Sequence, residues 1–513
     1  MLFCYETLSY CRFWFAQPGK QDQKMEKLPA GKCSQELWFG ILISFAMCFV
    51  FLCFDFSTFW GVNNEANLLV TKTVDAIGIL NFNQTRDSCS DRYIYIHEGL
   101  PSRFNYDFLN NCESLSAGTS ISNIPCMCPH LVNLGLGPEI NSSEGVLSNK
   151  SWFKTNPYLL EVIFHNRMKN YECLTKNFTL ASAIYVPFYP SMDVGVHLWD
   201  SNLTIRDSSA KHFAKWLSGQ PEWSKMWGRD HFFASGRIAW DFRRERDNSS
   251  AWGSKLRFLP ESMNMTMLTL EGSRWKNDIA IPYPTNFHPA KDSEVVQWQN
   301  RVREQERPYL FTFAGAPRPN QNGSIRGKLI DHCQASTKCK FLHCTEKICG
   351  NPVTVMRVFQ SSVYCLQPEG DSYTRRSAFD AFLAGCIPVF FHPATAYTQY
   401  LWYLPKDHTK YSVFIPVRDV KDLKEGQIEN VLLGISKDQE VAMREEVIRL
   451  IPKLVYADPR SRLETQDAFD IAVQGILERI ENVRTVIREG RDPSVGFADE
   501  DNGKFKFPET VDS

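Results

Sequence analysis

Residues 363–391 read VYCLQPEGDSYTRRSAFDAFLAGCIPVFF, and the fold class of the chain is predicted from them. Their pattern predicts a buried strand over 363–366, a turn rich in Pro, Gly and Asp, a short amphipathic helix, and a second buried strand over 386–391. Gly385 lies where the C-terminal cap of that helix belongs. A strand–helix–strand unit of this kind indicates a parallel sheet in an α/β fold, and ligands bind such units at the carboxyl edge of the first strand.

Polar side chains gather where the helix of this unit begins. Free backbone N–H groups and a partial positive charge make a helix start suited to a diphosphate. Asp380 lies four residues after Arg376 and three after Ser377, so the three can share one helix face. An acidic residue in that position can accept hydrogen bonds from ribose hydroxyls. An ordinary helix with a capping serine and a solvated Arg–Asp pair would account for the same residues.

The same stretch resembles the exostosin-like glycosyltransferases, most closely the plant branch of xyloglucan galactosyltransferases. The resemblance rests on residues 368–371, 374–377, 379–380 and 385–389, and it extends roughly from Arg92 to Pro416. It implies a GT-B fold, in which two Rossmann-like domains face a cleft and the second domain binds a nucleotide sugar. The residues it implies for that binding are Arg318, Arg326, Glu369, Asp371, Ser372, Thr374, Arg375, Arg376, Ser377 and Asp380.

The composition is that of a globular protein with more than one domain. The chain has 513 residues, enough for two or three domains with ample core. Hydrophobic residues make up 43% and charged residues 22%, which is ordinary for globular proteins. The formal net charge of −1 argues against nucleic acid as the main partner.

Residues 37–54 form an uninterrupted apolar run of membrane-spanning length. Basic residues crowd its amino side, and the 25 residues that follow it contain one Lys and no Arg. The positive-inside rule therefore predicts a cytosolic tail over 1–36, a transmembrane signal-anchor over 37–54, and a lumenal stem over 55–90. A cleaved signal peptide is the alternative, although its apolar region would be shorter and no small-residue cleavage pattern follows.

Sequons and cysteines agree with a lumenal location for the rest of the chain. Eight N-x-S/T sequons all follow the apolar run, as glycosylation in a lumen requires. Eleven cysteines also follow it, an odd number in an oxidising compartment. Cysteines 333, 339, 344 and 349 cluster at spacings that favour local disulfides over zinc. The sequon asparagines are Asn83, Asn141, Asn149, Asn177, Asn202, Asn248, Asn264 and Asn322.

The predicted domains follow from strands and helices along the lumenal part. An acceptor-side Rossmann-like domain spans 91–305, beginning with a strand at 93–96, and a nucleotide-sugar-binding Rossmann-like domain spans 306–435, opening with the strand YLFTFAG at 309–315. Residues 436–490 contain two charged helical patterns, 437–454 and 462–488, that could cross back to the first domain as a strap. Residues 491–513, rich in Gly, Asp and Pro, are predicted to be a flexible tail.

Two residues of the first domain are candidates for the catalytic base, and a third could orient one of them. His231, in the block GRDHFF at 228–233 that the family also carries, has an ordinary pKa near working pH, and Asp230 could orient its imidazole. A buried histidine that only orients neighbouring groups would give the same pattern. Asp193, after the predicted strand at 183–188, is the rival base, and the sequence does not rank the two.

The resemblance implies a single-pass type II glycosyltransferase of the Golgi membrane with a lumenal catalytic domain. Its donor would be UDP-galactose and its acceptor the xylosyl side chains of xyloglucan, with inversion at the anomeric carbon and no metal cofactor. Other Golgi glycosyltransferases are possible partners. Transfer of another sugar, such as galacturonic acid or arabinose, is the alternative, as is a catalytically silent scaffold that binds glycan. A glycoside hydrolase would need two carboxylates across one sugar, and no such pair is singled out.

Overall fold

A computed structural model of the chain describes residues 89–112, 127–141, 144–198, 202–248, 251–319, 323–422 and 427–495. Contacts between Cα atoms divide the chain into two units, 1–85 and 86–513, and every described residue belongs to the second. The predicted cytosolic tail, the anchor and nearly all of the stem therefore lie outside the described residues. Among the residues that are described, no helix has the length and apolar character needed to cross a membrane.

The first sheet has five parallel strands in the order β1-β2-β3-β4-β5. In its register, Ile184 lies beside His231 and Phe232 lies beside Thr266. Strands β2, β3 and β4 are buried along their whole length, as expected of a parallel sheet with both faces covered. The strands are β1 (Ile94–Ile96), β2 (Ala183–Tyr185), β3 (His231–Ala234), β4 (Thr266–Thr269) and β5 (Asp278–Ala280).

The second sheet has five parallel strands in the order β10-β9-β8-β6-β7. The chain leaves β6 on one side to form β7 and returns on the other side to form β8, so the winding reverses between β6 and β8. Ligands of open α/β sheets bind at the carboxyl ends of strands where the winding reverses. The strands are β6 (Tyr309–Gly315), β7 (Cys339–His343), β8 (Ser362–Gln367), β9 (Ile387–Phe390) and β10 (Val413–Phe414).

Helices connect the strands and cover both sheets, so the predicted α/β class with two parallel sheets is confirmed. The predicted boundary between domains at 305/306 stays a prediction, although the strands of the two sheets lie on either side of it. The α-helices of the described residues are α1 (Tyr106–Asn110), α2 (Leu160–Met168), α3 (Pro190–His197), α4 (Leu203–Ser218), α5 (Pro260–Asn264), α6 (Asp292–Glu304), α7 (Arg326–Ala335), α8 (Glu346–Cys349), α9 (Pro352–Gln360), α10 (Arg376–Leu383), α11 (Val417–Asp422), α12 (Gln427–Leu433), α13 (Lys437–Leu454) and α14 (Ala468–Arg488).

The unit formed by β8, α10 and β9 matches the sequence prediction closely. Its strands are in the predicted places, and Gly385 follows the helix with φ of +63°, a backbone conformation that favours glycine. The helix begins only at Arg376, so Ser372 and Thr374 belong to the preceding loop and Arg375 occupies the N-cap position. The start of α10 has no side-chain cap from its N-cap residue, which contradicts the capping-serine alternative.

Of the two C-terminal helices, α14 returns to the first sheet, whereas α13 packs on α6 and α10. Helix α13 has the predicted bounds, whereas α14 begins six residues later than predicted because Asp467 caps it through a reciprocal hydrogen-bond pair with Asp470. Apolar residues of α14 join the same core as Tyr185 and Phe232 of the first sheet. Arg479 also donates to Oγ1 of Thr266 in β4 at 3.1 Å.

Five disulfides join the ten cysteines of the described residues. The predicted local pairing of the cluster at 333–349 is confirmed, because its four cysteines form two short-range bridges. Cys126, the eleventh cysteine after the apolar run, lies outside the described residues. The pairs are Cys89–Cys173, Cys112–Cys128, Cys333–Cys339, Cys344–Cys349 and Cys365–Cys386.

Candidate active site

The carboxyl ends of strands from both sheets border one cleft with a volume of about 1100 Å³. The first sheet contributes Arg237 after β3 and Glu271 after β4, and the second contributes the loops that follow β6 and β8. The cleft therefore includes the point where the winding of the second sheet reverses. Fold topology alone would choose this cleft as the ligand site.

The loop between β8 and α10 forms one wall of the cleft. It is hydrogen-bonded to residues that follow strands of the first sheet. Oε2 of Glu271 accepts hydrogen bonds from the Thr374 backbone N–H, the Thr374 hydroxyl and the Ser372 hydroxyl, each at 2.7 Å. The hydroxyl of Tyr283 lies 3.0 Å from Oγ1 of Thr374 and donates to it, since Thr374 donates to Glu271. The wall that belongs to the second sheet is thus positioned by residues that follow β4 and β5.

Three arginines converge on the cleft from separate elements. Arg318 follows β6, Arg326 is the first residue of α7, and Arg375 precedes α10. Burial and the positive charge of Arg326 lower the pKa of Arg375 to about 9, and burial and the charge of Arg318 lower the pKa of Arg326. The cluster repels itself, so an anion in the cleft would stabilise it.

Two of these arginines are held by neutral backbone oxygens. Arg375 donates to the carbonyl oxygens of Pro368 and Ala314 at 3.3 Å each, and Nε of Arg326 donates to the carbonyl oxygen of Glu369 at 3.1 Å. These bonds orient the guanidinium groups without neutralising them. Hydrogen bonds between arginine and a phosphate oxygen are charge-assisted and roughly twice as strong as neutral ones, so the cluster fits a diphosphate.

The third arginine has a carboxylate partner at the cleft rim. Nη2 of Arg318 lies 3.0 Å from Oδ1 of Asp371, and both side chains are largely exposed. Across the same loop, Oε1 of Glu369 lies 3.7 Å from Nδ1 of His392, whose ring stacks on Tyr373. Both carboxylates border the cleft. The negative charge of Asp371 partly opposes the lowering of the pKa of Arg375 and of Arg326.

Arg376 and Asp380 share one face of α10 and border a second cavity of about 1150 Å³. Arg376 and Tyr158 border both cavities, so the second cavity adjoins the cleft. Asp380 is 8% exposed and its Oδ1 atom has no hydrogen-bond partner among the described residues. Burial raises the pKa of Asp380, and the nearby charges of Arg376 and Arg375 oppose that rise. A ligand with hydroxyl donors would satisfy this oxygen.

Ser377, the third residue of the predicted face of α10, borders the cleft, and its hydroxyl is bonded to β8. Its hydroxyl donates to Oε1 of Gln367 at 2.7 Å, on the β8 side of the helix. Nine of the ten predicted donor-site residues border the cleft, and Asp380 borders the second cavity.

The predicted position of His231 and Asp230 in the cleft is corrected by the structure. His231 begins β3, at the amino end of the strand, whereas the cleft lies at the carboxyl ends. Both side chains are 0% exposed, and Nδ1 of His231 lies 2.8 Å from Oδ1 of Asp230. Asp230 does orient the imidazole, but inside the core, where the ring packs against Trp223. Residues 231–234 were not identified as a strand from the sequence, so the place of His231 at its amino end was missed.

Asp193 also lies apart from the cleft. It belongs to the first turn of α3 and not to the loop that the sequence suggested, and the Ser209 hydroxyl of α4 donates to its Oδ1. Burial raises the pKa of Asp193 to about 6. The carboxylate therefore joins two helices of the first sheet side, and neither cavity described above is bordered by it.

The sequence matches the family model Exostosin GT47 domain over residues 88–431. This range contains both sheets, the cleft and all ten predicted donor-site residues. The chain belongs to the exostosin GT47 family.

Curated relatives share about half of their residues with this member of the exostosin GT47 family. The probable xyloglucan galactosyltransferase GT14 of Arabidopsis thaliana is 53% identical over 461 residues, which cover 87% of each chain. The xyloglucan galactosyltransferase MUR3 of Arabidopsis thaliana is 52% identical over 427 residues, covering 82% of this chain and 68% of MUR3. Among solved structures, the GtfA/B complex is 11% identical, with a TM-score of 0.26, over 54% of this chain and 61% of that one.

Glu271 is the residue of this exostosin GT47 chain that sequence reasoning missed. It follows β4 directly, is 6% exposed and borders the cleft. The available signal was a charged residue at the end of an apolar strand, in the run TMLTLEG at 266–272. Glu271 matters because it accepts hydrogen bonds from Ser372 and Thr374. These residues lie 101 and 103 positions later in the chain, and no local pattern predicts contacts over such a distance.

Proposed function

We propose that this protein is an inverting glycosyltransferase that moves galactose from UDP-galactose to xylosyl side chains of xyloglucan. One observation carries the proposal: three convergent arginines lie at the point of winding reversal, next to a buried acceptor on Asp380. That combination suits a nucleoside diphosphate. The names of relatives at about half identity, all xyloglucan galactosyltransferases or probable ones, support the choice of galactose and xyloglucan.

The donor is proposed to span both cavities in a GT-B arrangement. Its diphosphate binds Arg318, Arg326 and Arg375, and its ribose hydroxyls donate to the unpartnered Oδ1 of Asp380 in the second cavity. The sugar then occupies the cleft, with the acceptor glycan on the side of the first sheet. The two cavities adjoin at Arg376, which supports a ligand that passes from one to the other.

The reaction is a displacement at the anomeric carbon. An acceptor hydroxyl oxygen attacks that carbon while a base takes its proton, and the bond to the diphosphate oxygen breaks with its electron pair leaving on UDP. Arginine side chains and the start of α10 stabilise the departing charge. We include no metal cofactor in this proposal, because the arginine cluster provides positive charge where a divalent cation would otherwise be needed.

We further propose a single-pass type II topology in the Golgi membrane, with residues 37–54 as the anchor and the catalytic part in the lumen. Five disulfides support an oxidising compartment. Five sequon asparagines, at 141, 149, 177, 202 and 248, are exposed, which suits glycosylation there. Glycosidase treatment of the cell-expressed protein should lower its apparent mass. An unglycosylated chain whose carboxyl end is reachable from the cytosol would contradict this topology.

Two other functions fit the same fold. One is transfer of a different sugar, such as galacturonic acid or arabinose, to a wall glycan, and the other is a catalytically silent scaffold that binds glycan or other Golgi glycosyltransferases. The arginine cluster favours an active donor site over the scaffold. Calorimetry with UDP separates the scaffold from both enzymes, and a panel of UDP-sugars with xyloglucan oligosaccharides, read by mass spectrometry, separates the donors.

A further inference from the structure

Two carboxylates border the cleft from the side of the first sheet, where an acceptor hydroxyl would lie. Both oxygens of Asp241 are engaged: Oδ1 accepts from Nε1 of Trp252 at 2.6 Å, and Oδ2 accepts from Nη1 of Arg237 at 3.1 Å. The contact with Arg237 is an ion pair. Asp241 is thus a fixed, neutralised group, and Glu271 is the other carboxylate.

Glu271 occupies a position suited to an anion. One of its oxygens accepts three hydrogen bonds from the loop before α10, from Ser372 and Thr374, at 2.7 Å each. Hydroxyl and backbone N–H groups that converge just before a helix are typical donors to a phosphate group. The Glu271 carboxylate therefore sits where a phosphate of the donor could be bound, 6% exposed and between the two sheets.

We propose that Glu271 is the catalytic base and that donor binding releases it. This inference rests on the proposed glycosyl transfer. A donor phosphate takes over the hydrogen bonds from Ser372 and Thr374, and like-charge repulsion then drives the Glu271 carboxylate toward the first-sheet side of the cleft. The base becomes available only when the donor is present, so donor binding and base activation are coupled.

The step balances in protons and electrons. The freed Glu271 carboxylate takes the proton of the acceptor hydroxyl, the hydroxyl oxygen forms the new bond to the anomeric carbon, and the old bond to the phosphate oxygen breaks. UDP leaves with that electron pair, and the neutral Glu271 later returns its proton to solvent. Burial raises the pKa of Glu271, against the hydrogen bonds from Ser372 and Thr374 that lower it. A carboxyl group in such surroundings is a stronger base than an exposed one.

The decisive variant is Glu271→Gln, compared with the parent lumenal domain and with Asp193→Asn as a control on a buried carboxylate outside the cleft. Initial rates of transfer from UDP-galactose to xyloglucan oligosaccharides and calorimetric UDP affinity are measured on each. We expect Glu271→Gln to lose about 10²–10⁴ in rate while binding UDP at least as tightly as the parent, because a charge that competes with the diphosphate is gone. Asp193→Asn should transfer within about threefold of the parent.

Two results would overturn the proposal. A Glu271→Gln rate within tenfold of the parent means that another group is the base, and a joint loss of transfer and UDP affinity means that Glu271 only positions the donor loop. If Glu271→Gln does not fold, Glu271→Asp takes its place, because the shorter carboxylate should lower the rate at least tenfold with UDP affinity kept.

A parent that transfers another sugar refutes the proposed galactose donor alone, and the variants are then compared with that sugar. A parent that transfers none refutes both proposals.

Discussion

Oε2 of Glu271 and the backbone nitrogen of Thr374 lie 2.7 Å apart, and this contact joins the ends of two sheets across the cleft. One residue follows β4 and the other precedes α10. The contact fixes the loop that presents Arg375 and the start of α10 to a ligand. The donor phosphate proposed above would take over this contact, so both sheets would respond to donor binding.

Arg318 is the most exposed member of the arginine cluster, so its removal should change binding more than folding. Arg318→Ala should weaken UDP affinity by about 1.5–3 kcal/mol, the scale of a hydrogen bond to a charged group, with little change in Tm. Calorimetry with UDP measures the effect. Arg418→Ala, which removes a side chain that is 85% exposed on α11, is the matched control. Equal affinities in both variants would place the diphosphate elsewhere.

Asp380 is expected to hold the ribose. Asp380→Ala removes the buried acceptor and should weaken UDP binding by about 1–3 kcal/mol, because ribose hydroxyls then lose a partner. Melting curves and calorimetry on the same preparation separate loss of fold from loss of affinity. Unchanged UDP affinity in a folded variant would mean that the second cavity does not receive the nucleoside.

The disulfide Cys365–Cys386 should stabilise the second sheet. Both cysteines are fully buried, and the bridge joins β8 to the residue before β9 across 21 positions. Replacing both with alanine should lower the free energy of unfolding by about 2–4 kcal/mol. The disulfide Cys344–Cys349 closes a loop of only 5 positions, so its replacement by alanines is the control. In denaturant melts it should lower the free energy of unfolding by less. A larger loss from the short bridge would contradict the expected order.

His288 should make the fold sensitive to acid. It is buried, its Nδ1 donates to the carbonyl oxygen of Tyr456 at 2.8 Å, and burial lowers its pKa to about 4. Because the unfolded chain binds this proton near pH 6.5 and the folded chain does not, stability falls as pH drops from 6.5 toward 4. Between pH 7 and pH 5 the loss is about 2 kcal/mol.

Denaturant melts of the parent and of His288→Gln at pH 7 and pH 5 test whether His288 causes this loss of stability. The variant loses hydrogen bonds and should be less stable at pH 7, but its loss between pH 7 and pH 5 should be smaller than that of the parent by about 2 kcal/mol. Equal losses in the two proteins would show that His288 is already protonated in the folded state or stays neutral in both states.

Local signals predicted the wall of the cleft that belongs to the second sheet and failed on the wall that belongs to the first. The unit of β8, α10 and β9 is readable because its apolar periodicity and Gly385 are contiguous in sequence, and Arg375 lies within it. His231 was misplaced because residues 231–234 were not recognised as a strand that begins with this histidine. Glu271 was missed because its partner Thr374 is 103 residues away, and such pairs depend on how the two sheets meet.

Transfer of galactose by the purified full-length protein to defined xyloglucan oligosaccharides, read by mass spectrometry, is the decisive measurement of the proposed activity. With UDP-galactose, the products should gain one hexose on a xylosyl residue, and β-galactosidase should remove it because the reaction inverts the α-linked donor. A folded, UDP-binding protein that adds no hexose from UDP-galactose, or that adds a different sugar from another donor, would contradict the claim.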